Sequence, residues 1–292
     1  MGRLRNHMVD YMTVRGYSPK TIKAYTWAVD TMSARFGRSP LSLSPADLEA
    51  YFLGLRNSRL SEATIHLANH GIRFFYRIHG IGDLVPKLRS RGRHASLPPV
   101  LGRAEVSRLL DSCSDLKSRT IFSLIYSCGL RISEAINLKV ADIDFERKTV
   151  FVRRGKSKKD RYTVLGDRMA RLIREYCLVH SPRDRLFYSR TTDEPLSADS
   201  IRSRFRTLAA RLGLPKAVRV HTLRHCFATH LLEGGANIVH IMRLLGHSNI
   251  QTTMVYLHVQ STESMNIQSP MDTLPAPGPG AHKQLEMFRQ SA

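Results

Sequence analysis

Two stretches decide the reading of this chain: HTLRHCFATHLL at His221–Leu232 and LLGHSNIQTTMVYLHV at Leu244–Val259. In the first, Leu223, Phe227 and Leu231 recur at helical spacing. They predict a helix that begins near Thr222, turns these residues to a core and stops at Gly234-Gly235. His221 and Arg224 then stand one turn apart on one side. His221 and His225 have a spacing that zinc uses. However, Thr222 stands where an H-E-x-x-H site needs glutamate, and Arg224 would repel a divalent cation, so no metal is expected. In the second stretch Ser248 and Gln251 read as a capping box, which starts a helix there. His247 lies just before that start and Tyr256 about two turns inside it.

Upstream lie two further islands. In Gly129-Leu130-Arg131-Ile132-Ser133-Glu134, Gly129 ends the apolar helix Arg119–Cys128, Ser133 is a candidate cap for the next, and Glu134 sits in its first turn. Arg131 is thereby held in a tight corner. Thr149–Val152 and Arg161–Leu165 are rich in β-branched and aromatic residues and read as a hairpin. Its loop carries Arg153, Arg154, Lys156, Lys158 and Lys159 around Gly155, which suits a nucleic-acid backbone or groove and equally a solvated turn. Each residue alone also fits a plain role: Arg131 at a surface, Glu134 complementing a helix dipole, Tyr256 packed in a core.

The whole chain sets the context. It has 292 residues, a size that suggests two domains. Its 45 Lys and Arg against 24 Asp and Glu give a formal charge of +21. The excess is spread, with net +9 over residues 1–95 and +12 over 96–265, so no single tail accounts for it. Such a surface points to a polyanion, and double-stranded DNA is the expected partner. No stretch approaches the roughly 18 apolar residues of a membrane span. No Walker A or G-x-G-x-x-G motif offers a nucleotide a place, and neither cofactor nor small-molecule substrate is expected. Cys113, Cys128, Cys177 and Cys226 are scattered without a C-x-x-C pair, as suits a reducing cytoplasm.

Four segments follow. Residues 1–81 read as an all-helical module. Ser18-Pro19-Lys20 starts one helix that Gly37 ends, Ser44-Pro45 starts a second, and Ser61–Ile78 gives a third. Residues 82–99 read as a linker with Lys87, Arg89, Arg91 and Arg93 at alternate positions, either a tether or a track for phosphates. Residues 100–265 form a mixed domain. Residues 266–292 are a Pro/Gly-rich tail in which Leu285, Met287 and Phe288 could offer a partner a short helix.

The order Arg131, Lys156, His221-x-x-Arg224, Gly246-His247-Ser248 and Tyr256 resembles the tyrosine recombinase, or phage integrase, family, in particular its Xer-like members. Gly16-Tyr17-Ser18-Pro19-Lys20-Thr21 is similar to the start of that family's core-binding domain. The resemblance covers about residues 5–262 and departs at no catalytic position. It implies a mainly α chain with a small antiparallel sheet (α+β), its two domains closing on DNA as a C-shaped clamp. It also implies a covalent 3′-phosphotyrosyl link, four copies of the protein on two DNA sites (or copies shared with a related recombinase), and exchange through a Holliday junction. In the family a C-terminal element commonly docks on a neighbouring copy.

The residue types support such chemistry. Tyr256 can attack phosphorus, but its phenol, with a reference pKa near 10, needs a base, and His221 is the candidate. Arg131 and Arg224 can bind the non-bridging oxygens in bidentate fashion, with His247 adding a donor. Lys156 can protonate the leaving 5′ oxygen, which arginine does poorly. Glu134 would orient Arg131 or His221. Lys20 joins the basic linker and hairpin residues as a candidate DNA contact. Two alternatives share these features: a type IB topoisomerase-like nicking–closing enzyme, and a DNA-binding protein with no catalytic activity.

Overall fold

The computed structural model describes residues 2–82, 84–88, 99–153, 160–189, 196–247 and 249–254. The chain divides into two units, Met1–Ser96 and Leu97–Ala292. It is mainly α with a small antiparallel sheet, the α+β class expected from the sequence.

Among the described residues the first unit holds four α-helices: α1 (Gly2–Val14), α2 (Pro19–Phe36), α3 (Pro45–Arg56) and α4 (Glu62–Ile78). The expected starts are in place, because Ser18, Ser44 and Ser61 each accept the backbone N–H three residues on. The sequence reading did not place α1, although Leu4, Met8, Tyr11 and Met12 form a helical stripe, with both methionines buried and Leu4 and Tyr11 packed against the core. Met32, Leu48, Ile65, Ile72 and Phe75 centre the core. Tyr11, Tyr17 and Tyr25 ring Phe74 at 5.9, 5.5 and 5.7 Å between centroids. Residues 84–88, read from sequence as the start of a linker, belong to this unit. Val85 is buried, Leu84 and Leu88 pack against the core, and Asn69 Nδ2 donates to the Pro86 carbonyl at 3.0 Å. The alternating charges obscure Leu84, Val85 and Leu88, the apolar residues that carry this packing.

The second unit is built on α6 (Leu116–Ser127), whose Ile121, Phe122, Leu124 and Ile125 are all buried. This helix starts one turn before the sequence suggested, because Asp115 accepts the Ser118 N–H at 2.8 Å. Around it lie α5 (Arg103–Asp111), the single-turn α7 (Ile132–Ile136), α8 (Asp167–His180), α9 (Ala198–Arg211), α10 (Val220–Glu233), α11 (Ile238–Leu245) and α12 (Gln251–Met254). The sheet runs in the order β1 (Ile143–Asp144), β2 (Thr149–Val152), β3 (Arg161–Val164), antiparallel throughout. Val150 pairs with Thr163 and Val152 with Arg161, so these four share one face. Val150, Val152 and Thr163 are buried, and Thr163 Oγ1 donates to the Cys128 carbonyl at 2.8 Å. On the other face Phe151 and Tyr162 pair, 5.0 Å between centroids.

Gly129 links α6 to the site. Its φ of +61° lies in the left-handed region. A Cβ there would come within 2.5 Å of the Phe227 ring, so only glycine closes this corner.

Candidate active site

The corner at Gly129 delivers Arg131 to the cap position of α7. Ser133, the cap suggested by sequence, lies inside the helix. The cap is instead completed by Glu134, whose Oε2 accepts the Arg131 backbone N–H at 2.8 Å while Oε1 accepts Arg131 Nη1 at 2.8 Å. A carboxylate at the third helical position reaches back naturally to the cap.

Arg224 enters from α10, which begins at Val220 rather than Thr222 because Thr222 Oγ1 accepts the Arg219 N–H at 3.0 Å. The Arg224 side chain is 1% exposed. It donates to the carbonyls of Gly129 and Leu245, both at 2.6 Å, and Nη1 lies 3.5 Å from Glu134 Oε2. Its Nη2 also meets His247 Nε2 at 3.3 Å. Such a buried guanidinium is held in one plane by acceptors from two different loops. His247 follows α11, and its Nδ1 shares a 2.9 Å hydrogen bond with Thr253 Oγ1 of α12, itself fully buried.

Of the residues singled out in the sequence, Arg131, Glu134, Arg224 and His247 meet in one cluster. His221 stands in the first turn of α10, its ring edge-on to His225 at 4.7 Å between centroids. It lies near enough to Arg224, Arg131 and Glu134 for their charges to act on it. Tyr256 and Lys156 lie outside the described residues, as do Arg154, Lys158, Lys159, Arg89, Arg91, Arg93, Ser248 and the tail. Lys20 and Lys87 are exposed on the first unit. Arg153 binds the buried Asp142 carboxylate at 2.6 Å and lies over the Phe151 ring, so it serves the fold whatever else it touches.

Sequence reasoning missed Arg161. The sequence placed it at the start of a strand beside a basic loop and gave it no role, yet its side chain is 8% exposed and grips Glu134 with two nitrogens, at 3.0 and 2.7 Å. Residues 161, 163 and 165 share one strand face, and Leu165 facing a core was the available signal. It was obscured because the outward Tyr162 and Val164 are more apolar than Thr163.

The cluster is strongly cationic and its titrations follow. Burial alone would push the Glu134 carboxyl up. Hydrogen bonds and charge from Arg161, then Arg131, reverse this and hold it down at about 2. His247 is lowered to about 4 by burial first, then by Arg224, Arg131 and Arg161. His221 is lowered to about 4 by surrounding protein, then by His225, Arg224 and Arg131. The outer edge of His221 is open to solvent. Both imidazoles are therefore neutral at pH 7 and can accept protons.

The shifts have a stability consequence with a definite sign. Between about pH 6.5 and 4 the unfolded chain holds more protons than the folded one. Stability is full above that window and falls as pH drops through it. The thermal midpoint of the protein should decline from about pH 7 to 4.5, and His247→Gln should make that decline shallower, as measured by scanning calorimetry.

Among the described residues no group of three or more His, Cys, Asp or Glu is placed to hold a metal, and no helix is long and apolar enough to cross a membrane.

Known proteins bear on this cluster. The phage integrase family matches residues 99–263, and the phage integrase N-terminal SAM-like domain matches residues 4–80. The tyrosine recombinase XerA of Thermococcus kodakarensis is 36% identical over 254 residues, spanning 85% of this chain and 88% of its own. The crystal structure of a XerA recombinase superposes with a TM-score of 0.54 at 28% identity, covering 94% of this chain and 99% of that one. The Tn1549 transposon integrase, solved in complex with transposon right-end DNA, has the same fold, with a TM-score of 0.69 at 19% identity and 99% of both chains covered. The chain thus belongs to the phage integrase family of tyrosine recombinases, the family that breaks and rejoins DNA through a phosphotyrosyl link.

Proposed function

We propose that this protein is a site-specific DNA recombinase in which Tyr256 is the nucleophile and Arg131, Lys156, His221, Arg224 and His247 form the catalytic set. The observation that carries this reading is the carboxylate of Glu134 tied to Arg131 and set 3.5 Å from Arg224, beside imidazoles that are neutral at pH 7. Three arginines around one carboxylate leave a net positive cluster, which suits an anion that gains charge as it reacts.

In the cleavage step the Tyr256 phenolic oxygen bonds to phosphorus while His221 takes its proton. Arg131 and Arg224 hydrogen-bond the non-bridging oxygens of the five-coordinate phosphorus, and neutral His247, whose Nε2 accepts from Arg224 Nη2, holds that guanidinium in place. The bond to the 5′ oxygen breaks, and Lys156 supplies that oxygen with a proton. The product is a 3′-phosphotyrosyl ester and a free 5′ hydroxyl. Attack by a 5′ hydroxyl from a second duplex reverses these steps on the new strand. The ester retains the free energy of the original linkage, so no nucleotide cofactor enters the step, and side-chain cations supply the charge stabilisation that a metal would otherwise give. Two duplexes and four copies of the protein complete an exchange, and the basic surfaces of both units, including Lys20, Lys87 and the hairpin, hold the DNA backbone.

The deciding experiment incubates the full chain with DNA from its own genomic neighbourhood, traps covalent complexes, and maps the joined nucleotide and residue. A 3′-phosphate on Tyr256, with crossed products from two sites, is the expected result. Supercoil relaxation without crossed products would replace recombination by nicking and closing. Absence of any adduct would leave a DNA-binding protein without catalytic activity.

A further inference from the structure

We infer that Arg161, which nothing in the sequence motif marks, is a positioning residue that neutralises Glu134 so that Arg131 and Arg224 keep their charge for the scissile phosphate. This inference rests on the function proposed above and sharpens it.

The geometry begins with the strand. The register pairs Arg161 with Val152, on the face where Val152, Val150 and Thr163 are buried. A long cation forced to that side must find acceptors, since burying an unpaired charge costs several kcal/mol. Arg161 finds three. Its Nη1 and Nη2 donate to Oε1 and Oε2 of Glu134 at 3.0 and 2.7 Å, a bidentate pair. Its Nε donates to the Leu244 carbonyl at 2.7 Å. With 8% exposure and every nitrogen occupied, this guanidinium is committed to the protein interior.

The approach is close. Gly246 has φ of +64°, and a Cβ on it would come within 2.9 Å of Arg161 Cδ. The turn that ends α11, and that leads straight to His247, therefore lies on the Arg161 side chain. One arginine thus fixes the carboxylate of α7, the last carbonyls of α11 and the strand β3.

The carboxylate also answers to two other cations, on unequal terms. Arg131 donates to it through Nη1 and the backbone N–H, and Arg224 Nη1 stands 3.5 Å away, beyond a good hydrogen bond. Three guanidiniums and one carboxylate carry a net charge of +2. Without Arg161 the net is +1, and the whole Glu134 charge falls on Arg131 and Arg224. Those two groups would then face an internal anion in competition with the phosphate.

A purely mechanical strut and a charge balancer predict different outcomes. Arg161→Met keeps volume and removes charge. On a normal phosphodiester it should slow formation of the covalent adduct by about 100-fold, the size expected when transition-state charge loses one donor's worth of support. On DNA whose scissile non-bridging oxygen is replaced by a neutral methyl group, the same variant should stay within about threefold of wild type. Adding Glu134→Gln to Arg161→Met returns the net charge to +2, and it should recover at least about tenfold on the diester. If Arg161→Met does not fold, Arg161→Lys takes its place: it keeps the net charge at +2 but not the two-pronged grip on Glu134, so it should stay within about threefold of wild type on the diester, where a strut would lose more on both substrates.

Equal losses on both substrates, or a double variant slower than the single one, would overturn the inference and leave Arg161 as a strut. A wild-type rate for Arg161→Met would overturn it as well. If the wild type accepts only the diester, the double variant decides alone. Failure of the wild type itself to form any adduct would instead overturn the proposed function, so the two failures are separate.

Discussion

Tyr256→Phe is expected to abolish the covalent protein–DNA adduct while leaving DNA affinity within a few-fold of wild type. The substitution removes one oxygen and nothing else, so the basic surface that holds the backbone is unchanged. No phenyl carbon can attack phosphorus, and a step that needs a nucleophile has no partial substitute for it. Strand exchange should fall by on the order of 10⁴-fold or more, as in other enzymes that lose the attacking atom. The measurement is paired: gel shift for binding and denaturing electrophoresis for the adduct. An adduct that survives in the variant would place the nucleophile elsewhere. A large loss of binding would make Tyr256 a packing residue, the ordinary role for a tyrosine on a helix.

The second large effect is expected at Arg224, where activity and folding fall together. Arg224→Ala strips hydrogen bonds from the Gly129 and Leu245 carbonyls and from His247. It also removes a buried cation that faces Glu134. Breaking a buried charge network from one side costs about 3–5 kcal/mol. For a unit of this size that corresponds to a fall of roughly 6–20 °C in thermal midpoint. Cleavage should fall by at least about 10²–10³-fold even below the new midpoint, because a donor aimed at developing charge is gone. Arg224→Lys separates the two contributions. It retains the charge and recovers part of the stability, but a single ammonium cannot serve two carbonyls and a phosphate, so cleavage remains low. A variant that melts early yet cleaves at the wild-type rate at low temperature would remove Arg224 from the catalytic set.

Much of the site was legible because it is local. Ser18, Ser44 and Ser61 announce their helices through bonds that span three residues. His221 and Arg224 share a helix side for the same reason, and Glu134 reaches Arg131 across one turn. The departures also have local causes. Helix α6 began one turn early at its aspartate cap, and α7 is capped through Glu134 rather than Ser133. The first helix was passed over although Leu4, Met8, Tyr11 and Met12 recur at helical spacing, because no serine–proline start announces it, and residues 84–88 were hidden by the charges around them.

The amino-acid order by itself determined the mainly helical class, the serine caps of the first unit and the residue types able to carry phosphoryl chemistry. These depend on hydrogen bonds and periodicities that close within one or two turns. Only the tertiary structure decided that Arg161 turns inward, that Arg224 is buried against carbonyls 95 and 21 residues away, and that one carboxylate answers three arginines. The reason is physical. Guanidiniums are soluble and long enough to suit a surface or an interior equally, and which they choose depends on acceptors brought close by folding distant segments together.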